Sequence, residues 1–183
     1  MTASLIASGQ DMDSSFVSGS RTAALNSRRG SAIRMECLTS ESLSSMSEYL
    51  TVEACVVTDI GSGDTERAVR FSGGKSGAYP KYSSAVDEDE IPALLETLDY
   101  IIKETATKPA SPYVHIVFLS RDGLRVGAYW KATDQRHGYG NWGVSVGHTR
   151  YAGSPSVTFT DTKRLSQIRD AVAKASEALS AAR

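Results

Sequence analysis

The sequence holds little that would serve a disulfide scaffold, a metal cage or a membrane. Its two cysteines, Cys37 and Cys55, lie far apart with no CxxC pair, and its three histidines are not clustered. Neither a disulfide framework nor a zinc site is therefore expected, and both cysteines read as plain thiols. No stretch approaches the roughly 18 consecutive apolar residues of a membrane span. The N-terminus shows neither a basic start followed by an apolar run nor a small-residue cleavage site, so a cytoplasmic location with no membrane partner is the expectation. Hydrophobic residues make up 40% of the chain and charged residues 22%, the balance of a chain that buries a core.

The net charge of -1 conceals an asymmetry. Residues 47–109 carry 6 Lys+Arg against 12 Asp+Glu, a balance of -6, and residues 110–183 carry 10 against 5, a balance of +5. Such polarisation marks an anion-binding face, lets two subunits attract head to tail, or simply balances across one folded domain.

Residues 1–46 are rich in Ser, Ala, Thr and Gly and lack a sustained period of 2 or 3.6, so they read as a flexible arm. The rest, residues 47–183, reads as a single domain. "LTVEACVVTDI", "ERAVRF" and "KYSSAV" alternate like strands, and "SGGKSG" reads as the turn after the second. Asp87 with Glu90 three residues on forms a capping box for a helix whose apolar stripe is Ile91, Leu94, Leu95, Leu98, Ile101 and Ile102. "YVHIVFL" is apolar on both faces and reads as a central strand, with His115 a structural histidine inside it. "SRDG" is a hairpin turn into "LRVGAYWKA". "NWGVSVGHTRY" and "SVTFT" follow, and then a helix that buries Leu165, Ile168, Val172, Ala175 and Leu179.

A shift of 74 residues lays Ile91 on Leu165, Leu94 on Ile168, Leu98 on Val172, Ile101 on Ala175 and Asp87 on Asp161. It also lays Val52, Ala54 and Val56 on Val126, Ala128 and Trp130. The expected fold is thus α+β: two related units of antiparallel strands followed by a helix, over about residues 49–105 and 112–182.

No motif assembles a catalytic site, so no enzyme, cofactor or metal is expected. Gly143-Val144-Ser145-Val146-Gly147 matches G-x-S-x-G formally, but a nucleophile elbow needs a strand, a sharp turn and a helix, and this segment alternates like a plain strand. "SGGKS" lacks the first glycine of a phosphate-binding loop and the helix after it.

The informative pattern is the division of faces in two strands. In "RVGAYWK", Val126, Ala128 and Trp130 point one way, and Arg125, Tyr129 and Lys131 the other. On the next strand Trp142, Val144 and Val146 face the core and leave Asn141, Gly143, Ser145 and Gly147 as a shallow floor. Arg136 and Tyr139 project from the intervening loop, and Arg150 and Tyr151 from the far end. Aromatic rings stack on any base while cations track phosphates, so these seven residues, Arg125, Tyr129, Lys131, Arg136, Tyr139, Arg150 and Tyr151, are candidate contacts for single-stranded nucleic acid. Two alternatives stand beside this: a solvent-facing sheet whose tyrosines and arginines serve β-propensity and solubility, and a protein-interaction or homo-oligomerising module.

Strands then helix, repeated over about residues 49–183, resembles the β-sheet-plus-helix units of the Whirly and PUR-repeat single-strand nucleic-acid binders. That resemblance implies nucleic-acid binding on a sheet and transfers no individual residue. "DEDEIPALLETLDYI" also looks like part of a small bacterial domain of unknown function.

Overall fold

A computed structural model describes residues 19–44, 48–75, 82–132, 141–148 and 156–182. The chain runs α1 (Arg21–Asn26), β1 (Ile33–Ser44), β2 (Glu48–Asp59), β3 (Thr65–Lys75), β4 (Tyr82–Asp87), a 3-10 turn (Glu88–Glu90) and α2 (Ile91–Thr105). It continues with β5 (Tyr113–Leu119), β6 (Leu124–Lys131), β7 (Asn141–His148), β8 (Ser156–Phe159) and α3 (Lys163–Ala181). The fold is α+β. Two four-stranded antiparallel sheets, ordered β1-β2-β3-β4 and β5-β6-β7-β8, are each followed by a helix. No helix among the described residues is long and apolar enough to cross a membrane.

Tight turns explain the meanders. At the β5–β6 turn, Gly123 takes φ 86° and its N–H donates to the Ser120 carbonyl, while the Ser120 hydroxyl accepts from the Leu124 N–H. At the β2–β3 turn, Gly63 takes φ 77° and the Asp59 carboxylate accepts from the Gly61 N–H at 2.9 Å.

Both inner faces feed one core. Leu50, Val52, Ala54, Val69 and Phe71 from the first sheet join Val126, Ala128, Trp130, Trp142, Val144 and Val146 from the second. The helices fill the space between in crossed fashion: α2 follows the first sheet yet packs against β5 and β6, and α3 follows the second yet packs against β1, β2 and β3. Ile91, Leu94, Leu98 and Ile101 of α2 are buried, as are Leu165, Ile168, Val172, Ala175 and Leu179 of α3. Positions 74 residues apart fall on corresponding elements, with Val52 on β2 matching Val126 on β6 and Leu94 on α2 matching Ile168 on α3.

The sheets also meet directly. The Tyr82 hydroxyl of β4 donates to the Val146 carbonyl of β7 at 3.2 Å. Asp122, in the β5–β6 turn, accepts from the Ala85 N–H at 2.9 Å and the Ser84 hydroxyl at 3.0 Å, so a side chain satisfies an outward N–H of edge strand β4.

Three expectations are corrected. Residues 19–44 are not a flexible arm: they hold α1 and β1, and β1 pairs with β2 over its whole length, while residues 1–18 and 45–46 of the expected arm lie outside the described residues. Polar composition hid β1, since its Ser and Thr side chains add no apolar period and a bulge at Leu38 breaks the alternation. β5 is an edge strand, not a central one, and His115 is exposed on it. Ser72 to Lys75 extend β3 rather than form a turn; a Cβ on Gly73 would lie 2.7 Å from the Tyr82 hydroxyl, which is why that position takes glycine. Both cysteines are free thiols, and Cys37 and Cys55 are direct cross-strand partners despite their separation in sequence.

Candidate nucleic-acid interface

The outer face of the second sheet is built in rows by strand register. Tyr113, Lys131 and Asn141 form the first row, and His115, Tyr129 and Gly143 the second. Val117, Gly127, Ser145 and Thr158 form the third, and Leu119, Arg125, Gly147 and Ser156 the fourth. Period-2 alternation produces this directly, because the opposite residues, Val126, Ala128, Trp130, Trp142, Val144 and Val146, are all in the core.

Sequence reasoning placed Arg125, Tyr129 and Lys131 on this face, and they are there. Arg125 and Lys131 are exposed and Tyr129 is half-buried. Gly143 explains the state of Tyr129, since a Cβ at that position would come within 2.4 Å of Tyr129 Cζ. The phenol ring therefore lies against the Gly143 backbone of β7 and stays half-buried there. Arg136, Tyr139, Arg150 and Tyr151 lie outside the described residues.

The reading of the sequence missed β5. Tyr113 is 58% exposed, Leu119 59% and Val117 40%, an apolar and aromatic edge beside the cations of β6. The signal was present as the alternation Tyr113, His115, Val117, Leu119, but Val114, Ile116 and Phe118 on the other face are equally apolar, and the segment looked buried on both sides.

Electrostatically the surface is one-sided. The four strands β5 to β8 contain no aspartate or glutamate. Burial against the sheet and the neighbouring Arg125 cation hold the His115 imidazole below the ordinary histidine range, so at neutral pH the described positive charge comes from Arg125 and Lys131. Beneath one end, Trp130 and Trp142 pack with ring centroids 5.8 Å apart, and the Trp142 indole donates to the Thr107 carbonyl at 2.9 Å, which fixes the ends of β6 and β7 that carry Lys131 and Asn141.

The formal G-x-S-x-G segment lies wholly within β7, so Ser145 sits mid-strand in the sheet floor rather than at a strand-to-helix elbow. Sequence comparison adds no further guide: no protein-family model matches the chain, and no curated protein is recognisably similar to it.

Proposed function

We propose that this protein binds single-stranded nucleic acid on the outer face of its second sheet. The observation that carries the reading is a strand face that no described element covers and whose strands hold no carboxylate, with Tyr113 beside the exposed Lys131, Tyr129 one row in and the exposed Arg125 two rows further. Tyrosines supply stacking platforms that tolerate any base, and the cations track phosphates. The Tyr129 ring lies across Gly143, so the ring rather than bare backbone is the platform offered at that row. Four antiparallel strands and a helix, twice over, support the likeness to Whirly and PUR-repeat proteins, and the corresponding positions 74 residues apart support an origin by duplication. A cytoplasmic location belongs to the same proposal.

The test is fluorescence anisotropy of labelled single-stranded DNA and RNA at roughly 50 and 200 mM salt, where binding through phosphates weakens steeply. Salt-sensitive binding that is lost when Arg125 and Lys131 are both changed to Glu supports the reading. Absence of binding at the lower salt sinks it.

A second reading rests on β5 alone. An edge strand with Tyr113, Val117 and Leu119 exposed is also suited to pairing with a second copy of the chain. Light scattering distinguishes it: a dimer that Leu119→Glu dissociates favours self-association, and a monomer at both salts removes it.

A further inference from the structure

We propose that Cys37 and Cys55 form a dithiol site on the first sheet that closes to an intramolecular disulfide when the protein meets a peroxide or a small-molecule disulfide. Cys37 of β1 stands directly opposite Cys55 of β2 in the antiparallel ladder. Opposed residues in such ladders have Cα atoms about 4.5–5.5 Å apart, within the window that a disulfide requires. The two sulfurs are 2.9 Å apart, so the bond forms by an approach of roughly 0.9 Å. The bulge between Cys37 and Thr39 interrupts the ladder at that point and gives β1 local freedom for the approach.

The two thiols stand in unlike surroundings. Cys37 is exposed and is the sulfur that a dissolved oxidant meets, whereas Cys55 is buried beneath it. The Arg70 guanidinium lies 3.6 Å from Cys37 Sγ, held by Glu53 through bonds of 2.9 and 2.7 Å, which places a hydrogen-bond donor beside the sulfur that an oxidant meets. Burial pushes the Cys55 thiol up to about 12, with the hydrogen bond to Cys37 acting in the same direction, so Cys55 keeps its proton until it attacks. Cys37, Glu53 and Cys55 also cluster as metal ligands would. Arg70 argues against that use, because it occupies the carboxylate and adds positive charge where a cation would sit.

The chemistry balances. The Cys37 thiolate attacks one peroxide oxygen, an S–O bond forms, the O–O bond breaks, and the departing hydroxide takes a proton to become water. The Cys55 sulfur then attacks the Cys37 sulfenic sulfur, the S–S bond forms, and the S–O bond breaks with hydroxide leaving as a second water on the Cys55 proton. Two thiols lose two electrons, and the peroxide is reduced to two waters. With a small-molecule disulfide, Cys37 first forms a mixed disulfide and releases one thiol, and Cys55 displaces the other.

The experiment treats the reduced full-length chain with hydrogen peroxide or, separately, with oxidised glutathione, then alkylates it under denaturing conditions and measures intact mass and linked peptides. The expected result is a monomer that has lost about 2 Da, takes up no alkylating agent, and yields a Cys37–Cys55 peptide. Cys55→Ser should instead gain oxygen or glutathione at Cys37 without that loss, and Cys37→Ser should leave Cys55 reduced. The proposal is overturned if both native thiols remain alkylatable in the wild-type chain, if the bridge joins two chains, or if Cys55 oxidises as fast without Cys37.

Discussion

The two sheets share strand number, order and helix connection, yet their outer faces have opposite fates. That of the first sheet is occupied. Helix α1 packs on β2, β3 and β4 with Leu25 buried, Arg70 of β3 is bound to Glu53 of β2, and that face carries Glu53, Asp59, Glu66 and Asp87. That of the second sheet draws no carboxylate from its own described strands, Glu48 reaches it only at the β8 edge through the Thr158 N–H at 2.8 Å, and no described helix packs on it. A face the chain covers with its own helix and neutralises with ion pairs is structural. An aromatic, basic face that no described element covers is the one proposed to meet a polyanion, and the difference between the sheets, rather than the composition of either, marks it out.

Asp87 holds this comparison together. Fully buried at the end of β4, its carboxylate accepts from the Ser20 hydroxyl at 3.0 Å and from the Arg21 and Thr22 amides at 2.8 and 3.1 Å, which satisfies the first turn of α1. Arg121, from the second sheet's first turn, lies 3.2 Å away. Asp87→Ala should be the most damaging change, costing about 3 kcal/mol in denaturant unfolding because it leaves the Ser20 hydroxyl and the Arg21 and Thr22 amides without their buried acceptor. Limited proteolysis should cut near Arg21 to Arg29 in that variant. Leu25→Ala, which loosens the same cover by removing buried methyl groups, should cost about 2 kcal/mol.

Acid should act through the same residue. Burial pushes the Asp87 carboxyl up, but the hydrogen bonds from α1 outweigh it and hold the group below the usual carboxylate range. Its contribution to stability is therefore complete above about pH 4, the unfolded value, and is lost as the pH falls through the lower folded value. Thermal melts from pH 7 to pH 3 should show this decline in the wild type and a shallower one in Asp87→Asn.

On the second sheet the expected effects reverse, with small changes in stability and large ones in binding. Tyr129→Ala should weaken single-strand binding about tenfold. Lys131→Glu should make the plot of log affinity against log salt shallower by about 1 while moving stability by less than about 0.5 kcal/mol.

Much of this was legible because two periods are strong in the sequence. Val126, Ala128, Trp130 and Trp142, Val144, Val146 set the register of β6 and β7, and the stripes of α2 and α3 set their buried faces. What was not legible depends on contacts remote in sequence. The six-residue α1 cannot stand alone and is fixed by a carboxylate 66 residues away. β1 is disguised by its bulge, and the meeting of Cys37 with Cys55 follows only once the β1–β2 register is known. The crossed packing of α2 and α3 leaves no local trace, since an apolar stripe does not say which sheet it covers. β5 was misplaced because exposed apolar residues at an edge look like buried ones until a binding surface is considered.

The most direct test of the difference between the sheets is photo-crosslinking of a thiouridine-bearing single-stranded RNA to the full-length chain, with the linked peptides mapped by mass spectrometry. Crosslinks on residues 113–131, with Tyr113 and Tyr129 foremost and none on β1 to β4, are the predicted result. Crosslinks concentrated on the first sheet, or none under salt conditions where the RNA is bound, would contradict it.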